Sequence, residues 1–330
     1  MRHETTVTSI SWIPSEAMTG PMRLPMDIGL GHYDPAPPDS IGPDDLEQLR
    51  SADRLRFANQ LTAWIDVEDG RIVDGGYGGG AVVGATTAKV GPGSVTIPGV
   101  AFPLIQEPID LVGGTARFVQ TAGGRTGAPF PRRIDRPPYV RVTGPTAWTT
   151  LAVTFEPDGT ASFEVAGASS FPRHWIYDDS GALVAKSGLI DFAEWTRTAD
   201  HDRTPWAGIQ RDALVASVES EVERVLSRDV MGSDPQLRDL AEGDVLTRQG
   251  EPGDELYLVL DGMLTVDVDG TEIAELGPGA IVGERAAIEE GHRTSTVTAL
   301  TSTKVAVVPA AAIPAADLEE VAAGHRREDD

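Results

Sequence analysis

Short apolar runs closed by turn dipeptides recur along most of this chain, and they restrict its fold more than any other feature. LTAWIDVEDGRIV alternates apolar and polar residues around Asp69-Gly70, and AWTTLAVTFEPDGTASFEVAG does so around Asp158-Gly159. Period-two alternation on either side of an Asp-Gly pair predicts a β-hairpin. AVVGATTAKVGPGSVTIPGVAF, GTARFVQT, YVRVTG and DDSGALVAKSGLIDF add further strands at short spacing. The 36 glycines and 24 prolines are the punctuation such a pattern needs. Residues 46–203 therefore read as an all-β barrel or sandwich.

Two segments break the rhythm. Residues 1–45 are rich in Pro and Gly and are expected to be extended, followed by a short helix on Leu46, Leu49 and Leu55. A longer helix is expected over 204–231. Thr204 caps it, Pro205 fits its first turn, and Ile209, Leu214, Val218, Val222 and Val225 form one apolar stripe. It separates the first β-rich region from a second one at 232–330. There, DVLTRQG, ELYLVLDGMLTVDVDGTEIAELGPG and KVAVVP, with turns at Asp261-Gly262 and Asp269-Gly270, suggest a jelly-roll barrel. A short helical tail, AADLEEVAAGHRREDD, follows.

Charge narrows the partners. The chain carries 51 Asp and Glu against 27 Lys and Arg, a formal net charge of −24. Such a field disfavours nucleic acid and anionic membrane surfaces. A small anion can still bind, because a few donors aimed at one point outweigh a screened distant field. With no cysteine, disulfides, thiolate metal sites and cysteine nucleophiles are excluded. No signal peptide and no apolar run of about 20 residues is visible, so a cytoplasmic protein without a membrane span is expected.

Within the second region, VGERAAIEEGHRTSTVTAL has an unusual make-up for so acidic a chain. Gly283 permits close approach of a ligand. GERAAI can form one helical turn whose free N–H groups attract an anion, and Arg293 offers that anion a charged fork. Glu284 would repel the anion, unless it accepts a hydrogen bond from a hydroxyl on the same ligand. The ligand so described joins an anionic group to a sugar hydroxyl.

This stretch resembles the phosphate-binding cassette of cyclic nucleotide-binding domains. Gly283-Glu284, Ala286 and Arg293-Thr294 follow the cassette pattern without a gap. Upstream, Gly243-Asp244, Gln249-Gly250, Gly253-Asp254 and Gly262 sit at the family's familiar positions, and the likeness covers residues 225–315. It implies cAMP or cGMP as ligand and no metal, with cAMP favoured by the family's bacterial majority. It also implies Glu284 on the ribose 2′-hydroxyl, Arg293 on the cyclic phosphate, and the N–H groups of Arg285 and Ala286 beside that phosphate. Thr294 or Ser295 would touch phosphate or base. Arg285 stands where the family usually has leucine; it has three open roles, reaching the ligand, pairing with Glu289 or facing solvent. If no ligand binds, a buried Arg293 needs Glu284 as an ion-pair partner.

The first β region shows no recognised catalytic motif. His174, Trp175, Tyr177, Asp178 and Lys186 crowd one segment. His174 and Tyr177 could line a pocket with His174 as base, but core or rim positions fit these residues better. His32 with Asp34 is at most half a metal site. GGYGGG lacks the Lys-Ser/Thr ending of a phosphate loop and reads as hairpin or loop. The expectation is a cyclic nucleotide-binding sensor whose C-terminal barrel controls an N-terminal β domain. Two alternatives stay open: an enzyme or small-ligand carrier in the N-terminal domain, and an interaction protein with a non-binding barrel. A homo-oligomer or a protein partner is compatible with each.

Overall fold

The structure, a computed structural model, describes residues 1–14, 33–90, 92–110, 114–125, 130–133, 137, 139–144, 146–170, 172–188, 204–289 and 291–325. The chain divides into two compact units, Met1–Val215 and Ala216–Asp330. Both are built mainly of strands.

The first unit contains β1 (Arg2–Trp12), α1 (Asp45–Ser51), β2 (Phe57–Glu68), β3 (Arg71–Val83), β4 (Ala85–Val90), β5 (Gly93–Pro98), β6 (Val100–Ala101) and β7 (Ile105–Gln106). It continues with β8 (Ala116–Arg125), β9 (Phe130–Arg133), β10 (Val140–Thr143), β11 (Thr146–Phe155), β12 (Ala161–Ala168), β13 (Arg173–Tyr177) and β14 (Leu183–Ser187). One sheet runs β14-β13-β1-β2-β3 and a second β12-β11-β8-β6, with β7 also on β8; β4-β5 and β9-β10 are separate ribbons. Val7, Leu61, Ala63, Ile65, Phe118, Leu151, Val153, Phe155 and Ile176 pack together as one core between the sheets. In β2 every second residue from Phe57 to Ile65 is buried, the signature of a strand with one face inward.

The hairpins at Asp69-Gly70 and Asp158-Gly159 form as expected: β2 pairs with β3, and β11 with β12. The glycine cluster Gly75–Gly80 lies within β3, paired along β2, so it is hairpin strand and not a phosphate loop. The N-terminal segment corrects the expectation of an extended connector. Residues 2–12 form β1, hydrogen-bonded to β2 on one side and to β13 on the other. Its partners lie far along the chain, so no local turn signal announces it.

The second unit comprises α2 (Glu221–Gly232), β15 (Gln236–Leu240), β16 (Val245–Thr247), β17 (Glu255–Asp261), β18 (Leu264–Val268) and β19 (Thr271–Leu276). It ends with β20 (Ile281–Val282), α3 (Glu284–Ile288), β21 (Thr296–Ala299), β22 (Thr303–Pro309) and α4 (Ala315–Gly324). The sheets β15-β22-β17-β20 and β16-β21-β18-β19 enclose Tyr257, Val259, Leu264, Val282, Val297 and Val305. On the outer face of the first sheet, Leu256, Leu258 and Leu260 pack with Leu226 and Val230 of α2 and Leu318 and Val321 of α4. β17 is thus buried on both faces, which is why it reads as an unbroken apolar run.

The helix expected over 204–231 is much shorter. Pro205–Ala207 make one 3-10 turn, which stops at Gly208 with φ of 77°. Helix resumes only at Glu221, where Ser220 and Glu223 form a reciprocal capping box. Three of the five stripe residues, Ile209, Leu214 and Val225, face solvent and Val218 and Val222 are half-buried, while Leu226 and Val230 are buried instead.

Candidate functional site

The site is assembled from β17, the β20–α3 corner and the loop that carries Arg293. β20 pairs with β17 through Tyr257↔Val282 and Leu258↔Ile281. The chain then turns at Gly283, φ 97°, and enters α3. A side chain at Gly283 would be strained there, and its Cβ would stand 2.4 Å from Arg293 Nη1. Across the site, a Cβ on Gly253 would lie 2.0 Å from Arg293 Nε. Two glycines therefore leave the room that one guanidinium fills. The Arg293 backbone is fixed as well. Its N–H donates to Glu251 O at 2.8 Å and its carbonyl accepts from Gly250 N at 2.8 Å.

Arg293 is buried. Nη1 donates to the carbonyl of Glu255 at 2.9 Å and Nη2 to the Tyr257 hydroxyl at 3.3 Å. The guanidinium carbon lies 5.2 Å from the Tyr257 ring centroid. Tyr257 in turn donates to Glu255 Oε2 at 2.8 Å. Burial first, and then the bond to Glu255, raise the phenol's pKa, while the nearby Arg293 pulls it down. Among the described residues no carboxylate forms an ion pair with Arg293. The structural Arg293–Glu284 pair expected in the absence of a ligand is not formed.

Glu284 is also buried, but its partner is the tail. Its Oε1 accepts from His325 Nδ1 at 2.8 Å. His325 Nε2 faces Glu223 Oε1 of α2 at 3.3 Å. That oxygen also accepts the N–H of Ile281 at 3.0 Å. Burial works against charge on both His325 and Glu223. Their hydrogen bonds outweigh it, raising His325 to about 10 and lowering Glu223 to about 2. Arg285 turns toward the tail too. Nη2 donates to the carbonyls of Ala322 and His325 at 3.2 and 3.1 Å, and Nη1 lies 3.7 Å from Glu289. Of the three roles open to it, Arg285 takes the pairing with Glu289 and adds one that was not foreseen, capping the last carbonyls of α4.

Ala286 is buried within α3, and Thr294 and Ser295 lie half-buried just before β21. The residues expected at the cassette, Gly283 to Ala286 and Arg293 to Ser295, thus come from two adjoining segments of one barrel. Tyr257, Glu223 and His325 were not foreseen. Tyr257 sits in a run that reads as pure core. The other two reach the site only because α2 and α4 pack on the same sheet.

In the first unit the crowded segment separates by strand alternation. His174 points between the sheets, whereas Trp175 and Tyr177 pack on the opposite face of β13 with Leu46 and Leu49. A shared His174–Tyr177 pocket is therefore ruled out. His174 is fully buried. Nε2 donates to Ser169 O at 2.9 Å, and Nδ1 lies 2.7 Å from the Ser11 hydroxyl, which can donate or accept. Burial lowers its pKa to about 4. The Tyr177 hydroxyl donates to Pro38 O, and Asp178 accepts the N–H groups of Ser180 and Ala182 in the β13–β14 turn. Lys186 is buried. Asp34 is spent on a buried pair with Arg56 at 2.6 Å, and His32 lies outside the described residues. No group of three or more metal-ligating side chains occurs among the described residues.

The geometry of Gly283, Glu284 and Arg293 can be set beside known proteins. Residues 237–316 match the family model of the cyclic nucleotide-binding domain. The C-terminal unit carries that domain. Over 67 residues the chain is 40% identical to a cyclic nucleotide-gated potassium channel of Mesorhizobium japonicum, covering 20% of this chain and 18% of the channel. It is 35% identical over 66 residues to a cGMP-dependent protein kinase of Caenorhabditis briggsae, 20% of this chain and 9% of the kinase. A Pycsar effector protein of Burkholderia cepacia is 32% identical over 111 residues, covering 30% of this chain and 37% of the effector. The chain thus spans well under half the length of these curated relatives. A solved cyclic nucleotide-binding domain from Methylobacillus flagellatus shares 32% identity, with a TM-score of 0.24 over 25% of this chain and 49% of that one.

Proposed function

We propose that the C-terminal domain is a sensor of a 3′,5′-cyclic nucleotide, cAMP or cGMP. The observation that carries this reading is Arg293: a buried guanidinium, seated between two glycines, held by a carbonyl and a phenol and, among the described residues, by no carboxylate. Burying an unpaired cation is costly, and an anion arriving beside it recovers that cost. In this reading the cyclic phosphate docks on Arg293 and on the N–H groups of Arg285 and Ala286. Glu284 receives the ribose 2′-hydroxyl, and Thr294 and Ser295 edge the phosphate or base. Binding favours one packing of α2 and α4 over another, which is the signal read by the N-terminal β unit.

Isothermal titration with cAMP and with cGMP tests the reading. Heat of binding to the intact chain, lost in Arg293→Ala, supports it. A folded protein that gives neither heat nor a thermal shift at millimolar concentrations of both nucleotides overturns it.

A further inference from the structure

The one imidazole ring of His325 joins three helices. Both ring nitrogens face carboxylate oxygens, and a carboxylate can only accept, so both nitrogens must carry hydrogen and the ring is a cation. One of those carboxylates, Glu223, is anchored in turn: it accepts the N–H of Ser220 at 2.8 Å and that of Ile281 at 3.0 Å. The other, Glu284, begins the cassette helix. Arg285, next to it, holds the same end of α4 through two carbonyls and leans on Glu289. The groups packed around the ring are thus Glu223 from α2, and Glu284 and Arg285 with its partner Glu289 from α3. The tail covers what it binds, since the Glu284 side chain is only 6% exposed.

We propose that His325 is a latch that closes the nucleotide site, occupying Glu284 and tying it to Glu223, so that the tail and the ribose compete for one carboxylate. This rests on the assignment of Glu284 to the ribose. With the latch closed, a ribose hydroxyl cannot reach Glu284. With a nucleotide seated, His325 leaves, and the end of α4 loses its carboxylate ties to Glu223 of α2 and Glu284 of α3. Ligand binding then becomes movement of a helix end by exchange of one hydrogen-bond partner for another.

The competition has a proton signature. The latched ring keeps its proton up to a pH of about 10, whereas a released histidine loses it near 6.5. Opening therefore releases a proton between these values, and affinity should rise with pH, by at most about tenfold per unit.

The test is titration of the full chain with cAMP and cGMP for wild type, His325→Ala and His325→Gln, with Arg293→Ala as control, from pH 6.5 to 9. The latch requires His325→Ala to bind at least about fivefold more tightly than wild type at pH 7. It also requires wild-type affinity to climb with pH while His325→Gln stays flat. Equal or weaker binding by both variants, with binding still lost in Arg293→Ala, overturns the latch and leaves the cyclic nucleotide reading standing. No binding by wild type or by any variant overturns both.

Discussion

Two residues of the proposed site, Arg293 and Gly253, each lead to a different experiment. Arg293 is buried with no carboxylate partner among the described residues, so its removal should cost the free protein little and the complex much. Arg293→Ala is expected to weaken nucleotide binding by at least about thirtyfold, the low end of the 2–5 kcal/mol associated with truncating a buried charge pair. Its thermal midpoint without ligand should stay close to wild type, which calorimetric scanning would show. Gly253→Ala probes the same guanidinium from its neighbour. The new methyl would stand 2.0 Å from Arg293 Nε, the mobile end of a long side chain. The arginine can step aside at small cost to the fold, but it then no longer sits where the anion needs it. Roughly tenfold weaker binding with an unchanged urea midpoint is expected, and wild-type affinity in this variant would refute the seat. Arg293 and Glu284 could be proposed from the sequence because glycine, acid and arginine stand there in an order that resembles the family's cassette. Tyr257 was not, since a tyrosine in a strand buried on both faces carries no mark that tells a core ring from one whose hydroxyl serves a cation.

At the level of elements, what could be read in advance was what is local. The hairpins at Asp69-Gly70 and Asp158-Gly159, and the barrel turns at Asp261-Gly262 and Asp269-Gly270, each depend on two adjacent residues with φ above zero at the glycine. β1 depends on partners some fifty and more residues away, and nothing near it in the sequence records them. The misread helix shows how local signals compete. Thr204-Pro205 does begin a turn, but Gly208 stops it, and the stronger start, Ser220 with Glu223, lies one half of the expected stripe later. The hydroxyl of Ser220 accepts the N–H of Glu223 at 3.3 Å, and the Glu223 carboxylate returns a bond to Ser220 N. Ser220→Ala should therefore destabilise α2 by about 1 kcal/mol. Because Glu223 also holds His325, faster amide exchange should appear in α4 as well as in α2. Faster exchange in α2 alone would mean that the two helices are not coupled through that carboxylate.

Across the whole chain, two histidines of opposite behaviour place the units' weak points on opposite sides of neutrality. His174 is kept neutral inside the first unit, with a pKa of about 4 against 6.5 when exposed. The unfolded chain then binds the proton more tightly, so the stability this ring contributes is complete above pH 6.5 and declines as pH falls toward 4. Between pH 7 and 5 the loss is about 2 kcal/mol. His325 is held charged in the second unit, with a pKa of about 10, so its contribution is complete below 6.5 and declines as pH rises toward 10. Glu223, lowered to about 2, adds a loss only below its ordinary 4.5. The window from 6.5 to 4.5 thus belongs to His174, and that from 6.5 to 10 to His325. All six tryptophans, Trp12, Trp64, Trp148, Trp175, Trp195 and Trp206, precede Ala216, so their fluorescence follows the first unit alone. In guanidinium titrations the fluorescence midpoint should fall from pH 7 to pH 5 and hold from pH 7 to pH 9. Amide exchange across Ala216–His325 should show the reverse, steady protection from pH 7 to 5 once corrected for intrinsic rates and a loss at pH 9. His174→Gln should remove the acid sensitivity, and His325→Gln the alkaline one. If both probes move together in either direction, the two units unfold as one and the separate assignment of the histidines is wrong.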